Sequence, residues 1–215
     1  MLQYITNTAC GVPIKDQVKA VLDGGGRWIQ VRMKDASDDE IKKVVEEIMP
    51  MCLETESFLI LNDRVELAKE INVGGVHLGR EDMLPSQARV VLGAAAVIGV
   101  TANTFEDVLA VRALDIDYIG IGPYRFTETK KKLAPILGVE GIKAICDKMN
   151  EAEILIPKVA VGDVKFEDVP ALMEAGVNGV AVSGAIAFAK DIKEETRRFV
   201  DLLAEYEKRE LEKLK

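Results

Sequence analysis

Asp63 and Asp82 each follow a short apolar run, Leu59-Ile60-Leu61 before Asn62-Asp63 and Gly75-Val76-His77-Leu78 before Glu81-Asp82. Between the runs, Leu67, Ala68 and Ile71 recur at helical spacing. A strand–helix–strand unit of this kind makes its two strands parallel, because the crossover helix returns the chain to the same end of the sheet. Asp63 and Asp82 then leave the sheet at one C-terminal edge, beside Asn62. Paired carboxylates in that position suit a hard cation such as Mg²⁺ held near a phosphate. A plainer assignment, with Asp63 capping a helix and Asp82 in a solvated loop, is also open, and this stretch taken alone favours it.

Other residues extend the pattern. In Ile29-Gln30-Val31-Arg32-Met33-Lys34 the polar and apolar residues alternate, so Gln30, Arg32 and Lys34 share one side of a strand. If Ile29, Val31 and Met33 meet a helical layer, Arg32 and Lys34 make a cationic pocket suited to a diphosphate. Thr101, in Gly99-Val100-Thr101, offers a hydroxyl to a phosphate or serves as ordinary loop chemistry before a helix. The long connection from Gly122 to Gly138 carries Thr127, Thr129 and Lys130, which suit gripping an anion. Lys131 and Lys132 beside them read as solvated charge. Val161-Gly162-Asp163 and Val182-Ser183-Gly184-Ala185 supply backbone N–H groups for a second phosphate, although the Asp163 carboxylate would repel that anion unless it turns away. Two anion sites imply two phosphorylated substrates, or one phosphorylated at both ends.

The elements that must position these groups alternate along the whole chain. Strands are expected at Leu2–Thr6, Trp28–Met33, Phe58–Leu61, Gly75–Leu78, Ala96–Val100, Tyr118–Ile121, Lys158–Val161 and Gly179–Val182. Helices are expected at about 14–23, 38–54, 64–72, 85–92, 104–113, 139–149, 166–175 and 191–212. Ser37 to Glu40 and Thr104 to Asp107 have capping-box spacing, Pro85 suits a first helical position, and glycines at 24–26, 93 and 176 supply stops. Eight strand–helix repeats with no linker predict an α/β fold, a (β/α)₈ TIM barrel, with a doubly wound open sheet as the alternative. Residues 1–215 read as one such domain, with 191–215 a C-terminal helix. In this barrel the C-terminal strand ends form the active site, and the loops after strands seven and eight commonly hold phosphate.

The 215 residues, 48% hydrophobic, can bury a full core, and a net charge of −8 argues against a nucleic-acid surface. Cys10, Cys52 and Cys146 form no CxxC and read as small hydrophobes in a reducing compartment. No signal-like start or membrane-length apolar run is present, so a soluble, cytoplasmic protein is expected. A homo-oligomer is compatible with the sequence, which does not specify one.

Taken together, Gln30-Val31-Arg32-Met33-Lys34, Asn62-Asp63-Arg64, His77-Leu78-Gly79-Arg80-Glu81-Asp82, Gly99-Val100-Thr101, Asp117 to Pro123 and Thr127-Glu128-Thr129-Lys130 resemble the thiamine phosphate synthase family in order and spacing. That resemblance implies a transferase that joins hydroxymethylpyrimidine diphosphate to thiazole phosphate, with Mg²⁺ as cofactor and pyrophosphate released. It implies that Asp63 and Asp82 hold the metal and that Arg32, Lys34, Asn62, Thr101 and Lys130 bind diphosphate. Arg32, Lys34 and Lys130 would stabilise the leaving group. Gln30 would contact the pyrimidine, Thr127 and Thr129 would orient the thiazole, and Gly162, Ser183 and Gly184 would hold its phosphate. The chain departs from the family pattern at Asp163 (commonly glycine), Gly184 (commonly serine), Thr101 (commonly serine) and Phe126 (commonly proline). A non-catalytic barrel binding thiamine-related phosphates is an alternative motivated by Asp163. A thiazole tautomerase is another, but that relative carries a histidine where Pro123 stands and lacks the paired acids.

Overall fold

The computed structural model describes residues 1–126 and 135–213. Eight parallel strands, β1 (Leu2–Ile5), β2 (Trp28–Val31), β3 (Phe58–Asn62), β4 (Gly75–Leu78), β5 (Val97–Ala102), β6 (Tyr118–Ile121), β7 (Lys158–Val161) and β8 (Gly179–Val182), pair in chain order. The pairing closes: Gln3 of β1 is in register with Trp28 on one side and Ala181 on the other. Closure excludes the open doubly wound sheet and leaves no strand edge exposed.

The helices are α1 (Ile14–Asp23), α2 (Asp38–Glu54), α3 (Val65–Glu70), α4 (Pro85–Leu92), α5 (Phe105–Val111), α6 (Gly138–Glu151), α7 (Val169–Glu174), α8 (Gly184–Ala187) and α9 (Ile192–Lys213). Local chemistry sets their starts. Ser37 with Glu40 and Thr104 with Asp107 form reciprocal capping boxes, and Pro85 opens α4. None of the described helices is long and apolar enough to cross a membrane. All three cysteines are free thiols, and burial pushes Cys52 and Cys146 up to about 11.

Period-two alternation divides the core into two layers. Ile29, Val31, Leu59, Leu61, Ile98 and Ile119 belong to the layer shared with the helices, while Ile60, Tyr118, Val159 and Ala181 fill the barrel interior. Gly99 makes room for that interior: a Cβ on it would overlap the Tyr118 ring from the neighbouring strand.

Several boundaries differ from the sequence expectation. β2 ends at Val31, two residues early, because the Arg32 N–H is taken by the Thr6 hydroxyl (2.9 Å). Arg32 and Lys34 therefore stand on the loop, where strand alternation does not set their direction. β5 runs on to Ala102, so Thr101 is a strand residue and not part of the loop. The expected helix 64–72 shortens to α3, and 166–175 divides into a 3₁₀ turn, Phe166–Asp168, followed by α7.

Because the Tyr118 ring uses the space above Gly99, Gly99→Ala is expected to destabilise the barrel by about 1–3 kcal/mol through overpacking. Urea unfolding would measure it, and an unchanged midpoint would show that the ring can relax.

Candidate active site

The C-terminal ends of β2, β3 and β4 bring four charged groups together. Asp63 leaves β3 with a left-handed φ of 67°, a conformation in which aspartate is enriched. Its N–H donates to the His77 carbonyl of β4 (2.9 Å), which ties the tip of β3 to its neighbour. The carboxyl of Asp63 lies within hydrogen-bonding reach of that of Asp82, a contact that favours the protonated form of Asp63. Asp82 is also anchored within its own turn, accepting from the Gly79 N–H at 2.6 Å. Asp63 does not cap α3, whose N-cap position is Arg64 with no side-chain cap. The plainer assignment therefore fails for Asp63, whose backbone is tied to β4 rather than to the helix start, while Asp82 does stand in a half-exposed turn.

Burial, then the hydrogen bond and the charge of Asp82, push Asp63 up to about 7, while Lys34 and Arg32 pull it back. Burial lowers the Arg32 pKa, and Asp63 and Asp35 partly restore it. Two cations thus flank two carboxylates that cannot both ionise cheaply. Among the described residues no cluster of three or more His, Cys, Asp or Glu could hold a metal ion. A pair is nevertheless a fitting donor set for Mg²⁺, which commonly takes one or two carboxylates and fills its other positions with water and phosphate oxygens.

Gln30 points into the barrel from β2. It is 1% exposed, and its Nε2 has no hydrogen-bond partner among the described residues. Such an atom costs about 1–3 kcal/mol until an acceptor reaches it. Asn62 ends β3 half-buried, and Thr101 is buried on β5 with its hydroxyl 3.0 Å from His77 Nε2.

Across the mouth lie Gly162, Ser183 and Gly184. Gly162 has φ 111°, and a Cβ there would strike the Tyr124 nitrogen and Pro123. Ser183 precedes α8 and accepts from Asn7 Nδ2 at 3.2 Å. Asp163 is exposed, and its backbone carbonyl accepts from Arg125 Nη1 at 3.3 Å. Thr127, Thr129 and Lys130 lie outside the described residues.

Sequence reasoning missed three supports of this rim. Thr6 and Asn7 directly follow β1, and the strand-end rule applied to the other strands would have found them. The third is a brace: Arg125 forks onto the buried Asp168, with Nη2 to Oδ1 at 2.6 Å, and stacks over Tyr124, whose hydroxyl donates to the same carboxylate at 3.1 Å. Burial alone would raise Asp168; the Arg125 fork and the Lys165 N–H outweigh it and hold the carboxyl below its ordinary value. No local motif announces a pair 43 residues apart.

Comparison with known proteins gives one consistent result. The profile of the family described as thiamine monophosphate synthase matches residues 2–186. A thiamine-phosphate synthase from Bacteroides fragilis is 51% identical over 94% of this chain and 98% of its own length. One from Bacteroides thetaiotaomicron is 49% identical over 94% and 96%. The solved thiamine phosphate pyrophosphorylase from Pyrococcus furiosus superimposes with a TM-score of 0.85 at 27% identity, covering 95% of this chain and 96% of that one.

A raised Asp63 pKa has a stability consequence. Below the ordinary value of 3.8 the folded and unfolded states are both protonated, so the contribution of this group is complete there. It is lost as pH rises toward about 7, because the unfolded chain releases the proton first. The melting temperature of Asp63→Asn relative to the parent should therefore climb between pH 4 and pH 7, and Mg²⁺ should stabilise the parent more at pH 8 than at pH 5. Equal Mg²⁺ shifts in both proteins at both pH values would contradict this account.

Proposed function

The chain belongs to the thiamine monophosphate synthase family, and we propose that its barrel mouth joins hydroxymethylpyrimidine diphosphate to thiazole phosphate, giving thiamine phosphate and pyrophosphate. The enzyme is a transferase that takes small phosphorylated substrates. The observation that carries the site assignment is the contact between Asp63 and Asp82, flanked by Arg32 and Lys34.

In this reading Asp63 and Asp82 would hold Mg²⁺. The metal, when bound, supplies charge neutralisation on the diphosphate. Arg32 and Lys34, with Lys130 from the strand-six loop, neutralise the leaving group as charge builds on it, and Asn62 and Thr101 complete its binding. The unpartnered Gln30 Nε2 donates to an acceptor on the pyrimidine. The pyrimidine C–O bond breaks first, and its electron pair leaves with pyrophosphate. The resulting methylene cation is captured by the thiazole nitrogen lone pair, which forms the new C–N bond. No protein nucleophile takes part; the protein's share is charge and positioning. Thr127 and Thr129 orient the thiazole, whose phosphate rests on backbone N–H groups near Gly162, Ser183 and Gly184.

The same proposal covers the setting: one barrel domain over residues 1–215, a cytoplasmic location, no nucleic-acid or membrane partner, and room for a homo-oligomer. The net charge of −8 supports the absence of a nucleic-acid partner.

Purified protein with both substrates and Mg²⁺ should yield thiamine phosphate, and Asp63→Ala should lower turnover by about a hundredfold or more. Calorimetric binding of thiamine phosphate by a folded protein that makes no product would instead favour the non-catalytic barrel.

A further inference from the structure

Four side chains from four strands form a hydrogen-bonded chain through the barrel interior, of which the reaction steps above use Thr101 alone. Gln3 Nε2 on β1 donates to the Tyr118 hydroxyl of β6 (2.8 Å). That hydroxyl lies 2.8 Å from His77 Nδ1 on β4, and His77 Nε2 lies 3.0 Å from Thr101 Oγ1 on β5. Gln3 and Tyr118 are 1% and 3% exposed. The tyrosine ring is confined by Trp28 edge-on at 4.7 Å, by His77 at 5.4 Å, and by the backbone of Gly99, where no Cβ fits.

Proton counting gives this chain a direction. An amide nitrogen donates only, so Tyr118 accepts from Gln3, and directing its single proton at His77 Nδ1 is the assignment that leaves no proton of the tyrosine idle within this chain. Burial raises the Tyr118 pKa, which keeps that proton in place. A neutral imidazole accepting at Nδ1 carries its own proton on Nε2, and that proton points at Thr101 Oγ1. Thr101 accepts there, so its hydroxyl proton is turned away from His77. With the opposite tautomer Nε2 would take the threonine proton, and Thr101 would offer only lone pairs to an incoming anion.

We infer that His77 is a positioning residue, set in the Nε2–H tautomer by Tyr118, which makes Thr101 present its hydroxyl as a donor to an anionic oxygen at the barrel mouth. The identity of that oxygen as part of the diphosphate rests on the function proposed above; the tautomer does not. Tyr118 and Gln3 act at one further remove, through His77.

His77 is the single histidine of the chain, so ¹⁵N-histidine labelling yields one imidazole. Two-bond ¹H–¹⁵N correlation spectra of the wild-type protein should show the neutral Nε2–H pattern. An Nδ1–H or imidazolium pattern at pH 8 would overturn the inference, and neither substrate nor turnover enters that measurement. The coupling to ligand is read with Mg²⁺ and inorganic pyrophosphate as the calorimetric probe. Tyr118→Phe and Thr101→Val should each weaken binding about tenfold to a hundredfold, the range of one hydrogen bond to a charged group. Thr101→Ser should restore most of the affinity. Tyr118→Phe added to Thr101→Val should cost nothing more, because the tyrosine acts through the threonine; additive losses would reject the coupling and leave Tyr118 a packing residue. In turnover, Tyr118→Phe should lower kcat without raising the KM for thiazole phosphate. A wild-type protein that shows the Nε2–H pattern but binds no pyrophosphate would overturn the diphosphate assignment and the role of Thr101 in it, while the tautomer would stand.

Discussion

Bond closure between β1 and β8 is the constraint from which the site follows. Once the sheet meets itself, all eight strands end on one rim, and polar residues at those ends have no other face to turn to. Asp63 and Asp82 are brought into contact on that rim by the direct parallel pairing of β3 with β4, even though two carboxylates in a half-buried setting repel each other. Arg32 and Lys34, standing close by, offset part of that repulsion, and the raised pKa of Asp63 registers what remains. An anionic substrate carrying a divalent ion relieves the same repulsion, so the site is less favourable empty than filled. The rim sacrifices local stability where it needs affinity, as binding sites commonly do.

Below the rim, the barrel interior is both packed and polar. Ile60, Val159 and Ala181 fill it, yet Gln3, Gln30, Tyr118 and His77 also enter it. Three of these four satisfy one another, and the fourth, Gln30, leaves an amide nitrogen without a partner. Trp28 Nε1, packed against the same interior, is the other buried side-chain polar atom without a partner among the described residues. Packing and polarity are coupled through Gly99: its missing side chain admits the Tyr118 ring, and that ring places the hydroxyl that meets His77.

The far side of the mouth is held by different means. Arg125 and Asp168 clamp the start of the strand-six connection to the turn after β7, and the same arginine holds the Asp163 carbonyl. Gly162 allows those two segments to approach because a side chain would occupy the space of the Pro123–Tyr124 backbone. Asp163, the residue least suited to a phosphate site, is therefore part of a braced turn.

Alternating apolar runs, capping boxes and strand-end polar residues were enough to order the elements and name the barrel, since these signals are local and repeat eight times. They also place Gln30 on the second strand and Asp63 and Asp82 beyond the ends of two neighbouring strands, because the strand period is readable there. Thr101 was named, but in a loop, since strand length depends on pairing with a neighbour that no local window contains. Arg32 and Lys34 were assigned a strand direction that the early end of β2 does not support, because the Thr6 hydroxyl that ends the strand comes from 26 residues away. The Arg125–Asp168 clamp and the Gln3–Tyr118–His77–Thr101 chain were invisible for the same reason. Side-chain partners across strands are chosen by distance in space, and only the folded barrel sets those distances.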